Sequence, residues 1–184
     1  KITGAALFRG DQLVGFFNEE ETTGYLWLTD NIRRLTMVFP PPGEGENKEN
    51  ENNKFLTVEV FWAAVKLKPE VQGEKVQMQI FVRAEGRLQD FAGQTLPQGE
   101  SFRDSLNRRM ATVIHNQISA AWQKAQVLNL DVFGFGSEIY KKRPQDWRCL
   151  EKKWAKVFPG IELGIDVRAV IRSYGLVTEP ITVR

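Results

Sequence analysis

Residues 101 to 128 read SFRDSLNRRMATVIHNQISAAWQKAQVL, and the apolar side chains in this stretch recur every three or four residues. The recurring positions are Phe102, Leu106, Met110, Ile114, Ile118, Ala121, Ala125 and Leu128. This period predicts one amphipathic α-helix of about seven turns, with Ser101 as its N-cap and Asp104 three residues further on. A helix with a single apolar stripe buries that stripe against another layer of the fold.

Two segments that flank this helix show the alternation of apolar and polar residues that is typical of β-strands. Residues 75 to 85 and residues 161 to 171 each place their apolar side chains on one face. Such alternation is typical of antiparallel sheets with one face in water. Residues 55 to 67 carry apolar side chains on both faces, which predicts a central strand covered on both sides for part of its length. In that strand, strict alternation places Phe61 and Val65 on one face and Val58, Val60 and Trp62 on the other.

The remaining segments complete an α+β pattern. Residues 5 to 8 and 13 to 17 flank a Gly-Asp turn and predict a hairpin. Three acidic residues after Asn18 favour a helix start, because the helix dipole is positive there, and residues 35 to 39 predict a short strand. Residues 40 to 54 are rich in Pro, Gly and Asn and predict a flexible surface loop, for which we considered partner binding as the alternative.

Composition limits the classes of function that suit this chain. The 184 residues, 42% of them hydrophobic, suit one domain spanning 1–184. The 25 basic residues are nearly balanced by 23 acidic ones, so we expect no nucleic-acid partner. One cysteine and one histidine argue against a Cys/His zinc site, and no apolar run is long enough to span a membrane. Because the chain begins at Lys1 without a leader pattern, we expect it to be a fragment or a processed product.

Two glycines in LDVFGFGSEIYKKRP, residues 130 to 144, raise the possibility of a phosphate-binding loop. Gly134 and Gly136 fit the first two places of a dinucleotide fingerprint, but Ile139 occupies the third, and Glu138 would repel phosphate. We therefore favour a packing role for both glycines over a ligand site. In this interpretation Asp131 caps a new helix, while Phe133, Ile139 and Tyr140 fill the core.

The last predicted helix, residues 146 to 158, has one stripe formed by Trp147, Leu150, Trp154 and Val157. Beside it lies Cys149, which we interpret as inert, since nothing in the sequence indicates a depressed thiol pKa. His115 lies at the border of the long helix's stripe, with no obvious nucleophile near it in sequence, so the sequence predicts no catalytic residue.

Three separated motifs resemble those of the Ger(x)C, or GerAC-like, spore germination proteins. They are the N-terminal GAALFRGDQLVGFFNEEETTGYLWL, then KAQVLNLDVFGFGSEIYKKRPQDWRCLEKKW, and finally IRSYG. The resemblance runs from about Gly4 to Gly175. The lipobox cysteine and the N-terminal domains of that family lie outside this sequence, as expected for an excised C-terminal domain.

The resemblance implies a lipoprotein subunit of a nutrient germinant receptor in endospore-forming bacteria. It implies a position at the outer face of the inner spore membrane, held by an N-terminal lipid anchor, with integral membrane proteins as the other receptor subunits. No catalytic residue or cofactor is carried over from the family. We therefore predict a non-enzymatic assembly domain, whose candidate structural or interaction motif is Asp131, Gly134, Gly136, Trp147 and Trp154. The alternative is a germinant-binding or hydrolytic domain with a cleft beside the long helix. The predicted fold is an antiparallel-rich sheet with the long helix and two shorter C-terminal helices packed on it.

Overall fold

A computed structural model describes residues 4–40, 55–90 and 99–173 of the chain. Two strands and a helix come first: β1 Ala5–Arg9, β2 Gln12–Phe17 and α1 Glu19–Leu28. Three strands follow: β3 Leu35–Phe39, β4 Leu56–Gln72 and β5 Lys75–Asp90. The chain continues with α2 Glu100–Val127, α3 Phe135–Lys142, α4 Pro144–Leu150, α5 Trp154–Val157 and β6 Glu162–Ser173. Most of the predicted loop at 40 to 54 lies outside the described residues.

The sheet is antiparallel-rich, and the fold is α+β as the sequence predicts. Strands β3, β4, β5 and β6 lie side by side in that order, while β1 and β2 form a separate antiparallel hairpin. The β3–β4 and β4–β5 pairs are antiparallel, but β5 and β6 are parallel. The antiparallel assignment of residues 161 to 171 was therefore wrong. A period of two indicates which side chains share a face, and it does not indicate strand direction.

A β-bulge divides β4 and corrects the predicted distribution of its side chains. The pairing with β5 shifts between Val60 and Trp62, so that Phe61 is an extra residue. Val58 and Val60 are fully buried, whereas Phe61 and Trp62 are 39% and 45% exposed. Before the extra residue, the side chains of β4 that face inward have even numbers, and after it they have odd numbers. The prediction that this strand is covered on both faces was wrong for this part of its length.

Helix α2 packs on one face of the sheet, which we call the inner face. Its buried residues Leu106, Met110, Ile114, Ile118, Ala121 and Ala125 belong to the predicted stripe, and Trp122 joins them. The side chain of Asn107 accepts a hydrogen bond from the backbone of Ile171 in β6 at 2.9 Å. The helix begins at Glu100, after Gly99 with a φ of 141°, so the predicted N-cap at Ser101 was wrong by two residues.

Helix α1 crosses α2 at close range. A Cβ atom on Gly24 would lie 1.9 Å from the carbonyl oxygen of Gln117, so only glycine permits this crossing. Nearby, the Trp27 indole donates a 2.9 Å hydrogen bond to the side chain of Gln117. At the start of α1, Asn18 and Glu21 form a capping box, which satisfies backbone donors at the predicted helix start.

The C-terminal helices are shorter than the sequence predicts. The segment predicted as one helix over 146 to 158 forms α4 and α5, which a 3₁₀ turn at Glu151–Lys153 separates. Leu150 and Val157 are still buried, so the predicted apolar side is kept on both sides of the 3₁₀ turn.

Candidate interaction sites

Asp131 organises the start of α3 by accepting three hydrogen bonds. One carboxylate oxygen accepts the backbone N–H of Phe135 at 2.9 Å, and the other accepts the backbone N–H of Gly136 at 2.8 Å. The indole Nε1 of Trp154 donates to the second oxygen at 3.2 Å. The carboxylate thus supplies acceptors for the first N–H groups of the helix, which have no partner within the helix itself. Asp131 therefore satisfies the start of this helix as the sequence predicts, although Gly134 and not Asp131 occupies the N-cap position.

Gly136 lies beneath two tryptophans. A Cβ atom at this position would lie 2.7 Å from Cη2 of Trp147 and 3.2 Å from Cε2 of Trp154. The two indoles meet edge to face, with ring centroids 5.2 Å apart. Four of the five residues of the predicted motif therefore lie together in one partly buried cluster, which we call the Asp131–tryptophan cluster (Asp131, Gly136, Trp147 and Trp154).

Gly134 has a different role from the predicted one. It precedes α3 with a φ of 74°, and an added Cβ atom would meet no atom within 4 Å. Backbone conformation therefore selects glycine here, since a side chain disfavours the left-handed region. The predicted core position of Tyr140 was also wrong, because this side chain is 60% exposed, whereas Phe133 and Ile139 are buried.

The sheet face opposite α2, which we call the outer face, exposes aromatic side chains. Phe61 and Trp62 lie there at the bulge, and Phe81 of β5 is 39% exposed on the same face. The ring of Phe61 lies 5.7 Å from the guanidinium carbon of Arg87. Isolated exposed apolar residues are ordinary, but a group on one sheet face indicates a contact surface.

Basic side chains surround Phe81 on this outer face. Ala64 of β4, Arg83 of β5 and Arg168 of β6 occupy one cross-strand row, and Lys66, Phe81 and Asp166 occupy the next. These two rows, together with Lys68, line a groove of about 630 Å³. Of the four cations, Arg168 lies 3.9 Å from a carboxylate oxygen of Asp166, and Lys68 is paired with Glu70 at 2.9 Å. Neither Lys66 nor Arg83 has an ion-pair partner within the described residues.

The histidine and the cysteine of the chain lie apart from this surface. His115 is exposed on α2, and Cys149 is an exposed free thiol on α4. In the part of the chain that the structure describes, no three His, Cys, Asp or Glu side chains are grouped so that they could hold a metal ion. No helix among the described residues has both the length and the apolar character needed to cross a bilayer.

Comparison with protein families identifies the relatives of this chain. The family model described as "Spore germination B3/GerAC like, C-terminal" matches residues 3–175. The chain belongs to this family. The resemblance seen in the three sequence motifs is therefore confirmed. Within these motifs, Gly24 and Gly136 are each required by a close packing contact.

Two curated relatives come from Bacillus subtilis (strain 168). The chain is 25% identical over 181 residues to spore germination protein KC and 23% identical over 186 residues to the putative spore germination protein YfkR. These matches cover 97% and 99% of this chain but 42% and 45% of the relatives, so the chain spans less than half of their length. The crystal structure of the GerBC protein matches with a TM-score of 0.77 at 21% identity, over 93% of this chain and 51% of that chain. This last match shows that the fold is shared.

Proposed function

We propose that this chain is a domain of the C subunit of a nutrient germinant receptor and acts in spore germination as a non-enzymatic assembly domain. The family match over residues 3–175 supports the proposal most directly. The relatives that are named for spore germination match along nearly the whole of this chain. We place the full-length protein at the outer face of the inner spore membrane, lipid-anchored beside integral membrane subunits.

The outer face of the sheet supports surface contact, rather than catalysis, as the mode of action. A domain that acts by contact needs exposed apolar side chains that its own core leaves uncovered, and Phe61, Trp62 and Phe81 meet this requirement. The Asp131–tryptophan cluster supports it in another way. Asp131 accepts three hydrogen bonds from within the domain, so we assign the cluster to holding the C-terminal helices in place.

Germination of spores that lack this protein would test the role. We expect slow germination with nutrients and normal germination with triggers that bypass the receptor. Restoring the full-length protein should restore the nutrient response. Nutrient germination at the normal rate in the deletion strain, with no second copy of the gene present, would contradict the proposal.

Crosslinking in spore membranes would separate assembly from small-molecule binding. We expect crosslinks between this domain and integral membrane subunits of the receptor. Calorimetry of the purified chain with the nutrients that trigger germination should show no heat of binding. Saturable nutrient binding without any crosslink to a receptor subunit would favour the alternative of a germinant-binding domain.

A further inference from the structure

We propose that the outer face of the sheet lies directly against an anionic lipid surface. In this arrangement its aromatic side chains enter the interfacial layer, and its basic side chains contact lipid phosphates. The proposal rests on the proposed function, because it names a partner for a domain that we place in a membrane-associated receptor. It adds a contact that a lipid anchor alone would not provide.

The aromatic side chains on this face suit a bilayer interface. Trp62 is 45% exposed, although indoles are costly to leave in water, and Phe61 and Phe81 are each 39% exposed nearby. Tryptophan is enriched at the headgroup level of membranes, where its ring meets apolar carbon and its N–H meets water. The bulge at Phe61 is what brings two adjacent aromatic side chains to the same face.

The charges on this face suit an anionic surface. Arg83 and Arg168 are cross-strand partners, and like charges directly opposite each other destabilise a sheet unless an anion lies between them. Ala64 is the third member of that row, and its small side chain leaves the space that forms the groove. Phosphate groups of anionic lipids would neutralise these cations without requiring one fixed geometry.

A lipid surface fits this face better than a folded protein partner does. The central residues of protein interfaces are depleted in charge and especially in lysine. Here Lys66 is the direct cross-strand partner of Phe81, in contact with one end of the aromatic group. Long basic side chains can lie along apolar surface while their charged ends reach a headgroup layer.

Vesicle binding of the purified 184-residue chain tests the proposal. We expect sedimentation with vesicles that mix phosphatidylglycerol with phosphatidylcholine, little binding to phosphatidylcholine alone, and weaker binding as salt rises. The fluorescence of Trp62 should shift to shorter wavelength on binding, and the Trp62→Phe variant should bind without that shift. Trp27 and Trp122 are buried, so they contribute little to the change.

Matched double variants distinguish this face from overall charge. Each basic residue at an anionic membrane contributes about fivefold to binding. The variant Lys66→Gln/Arg83→Gln should therefore bind phosphatidylglycerol vesicles roughly 25-fold more weakly. The control Arg103→Gln/Arg108→Gln removes the same charge from exposed positions of α2 on the other side of the sheet. We expect this control to bind within about twofold of the parent chain. Circular dichroism should show that both variants are folded.

Two outcomes would overturn the proposal. One is the absence of binding to phosphatidylglycerol vesicles at low salt. The other is equal weakening by both double variants, which would indicate nonspecific attraction by net charge. A synthetic acidic amphipathic peptide that binds the chain while vesicles do not would assign the face to a protein partner. In each of these cases a nutrient-germination defect in the deletion strain would leave the proposed function intact.

Discussion

At position 136 an added Cβ atom would lie 2.7 Å from Cη2 of Trp147, whereas at position 134 the restriction is a backbone φ of 74°. The same residue type thus serves a close contact in one case and a left-handed conformation in the other. A glycine pair in a sequence does not reveal this difference, because the tryptophan that meets Gly136 lies on another helix. The missing third glycine was sufficient to argue against a dinucleotide loop.

Substitution of Gly136 should harm folding rather than a binding surface. We expect Gly136→Ala to lower the free energy of unfolding by about 1–3 kcal/mol, because a methyl group would overlap the Trp147 ring. Urea unfolding of the purified chain measures this difference. Gly160→Ala is the matched control, since an added Cβ atom there meets nothing within 4 Å and its φ is not in the left-handed region. A Gly136→Ala variant that is as stable as the parent chain, yet fails in nutrient germination, would assign Gly136 to an interface.

At the scale of elements, the bulge in β4 determines which side chains reach the outer face. Deleting Phe61 would remove the extra residue and leave Val60 and Trp62 as neighbours opposite two consecutive residues of β5, so the inward-facing side chains on both sides of the bulge would keep their face. Substitution at the same position removes only a partly exposed ring. We therefore expect the Phe61 deletion variant to fold with a regular β4–β5 ladder, and Phe61→Ser to cost at most about 1 kcal/mol.

Thermal melting followed by circular dichroism compares these two variants. A deletion variant that fails to fold would show that the bulge is required for the path of β4. Loss of folding in Phe61→Ser would instead show that the ring itself is needed for stability. Either result would contradict this interpretation of the strand.

The parallel β5–β6 pair is joined on the outer face by Glu85 and Arg172. The guanidinium of Arg172 donates to the Glu85 carboxylate at 2.6 Å and 3.0 Å, and these hydrogen bonds hold the pKa of Glu85 below its ordinary value of 4.5. Because the pKa of Glu85 is lower in the folded chain than in the unfolded chain, this ion pair contributes its full stability above the pKa of the unfolded chain. That contribution is lost as the pH falls through the pKa of the folded chain. We expect the carboxyl group to titrate at higher pH in Arg172→Gln, as NMR titration would measure.

The acid side of the stability profile gives an independent test of this ion pair. The stability of Glu85→Gln should fall less than that of the parent chain as pH decreases below about 4.5. The difference should be small and should shrink in salt, because both groups are at the surface. Glu162→Gln serves as the control, since Glu162 has no ion pair within the described residues. Identical acid profiles for Glu85→Gln and the parent chain would contradict the prediction.

Periodicity was enough to locate most elements from the sequence. The stripe from Phe102 to Leu128 predicted α2 to within two residues at its start and one at its end, and residues 35 to 39 matched β3 at both ends. Periodicity could not indicate the partner of a strand, so the parallel direction of β6 and the bulge at Phe61 were missed. Both depend on contacts between residues far apart in the chain.

For the candidate sites, too, the sequence predicted local interactions but not contacts between distant residues. Asp131 was recognisable as a cap, because capping is a local interaction. Its hydrogen bond from Trp154 depends on the path of three later helices, and no spacing rule predicts that path. The outer face was missed entirely. Strict alternation assigned Trp62 to the side of Val58 and Val60, although the bulge places it on the other side.

At the scale of the whole molecule, one continuous core joins the hairpin, the helices and the sheet. Leu7 and Phe17 of the hairpin, Trp27 of α1 and Phe158 near β6 belong to the same buried cluster as the sheet residues. A single connected core should unfold in one cooperative transition. We therefore expect coincident urea transitions by circular dichroism and by tryptophan fluorescence, as for one domain over the whole chain.

Two remote substitutions can test this cooperativity more sharply than the parent chain alone. Gly24→Ala forces α1 away from α2, and Gly136→Ala forces α3 away from Trp147. In one cooperative unit, both variants should lower the midpoint of the same transition, and the double variant should lose about the sum of the two free energies within ~0.5 kcal/mol. Thr23→Ala, beside Gly24 on α1, is the control, and we expect about 0.5 kcal/mol or less from it. Suppose instead that each glycine variant shifts a separate transition and leaves the other in place. The hairpin and α1 would then form a unit that unfolds apart from the C-terminal helices, and the prediction of a single domain would be wrong.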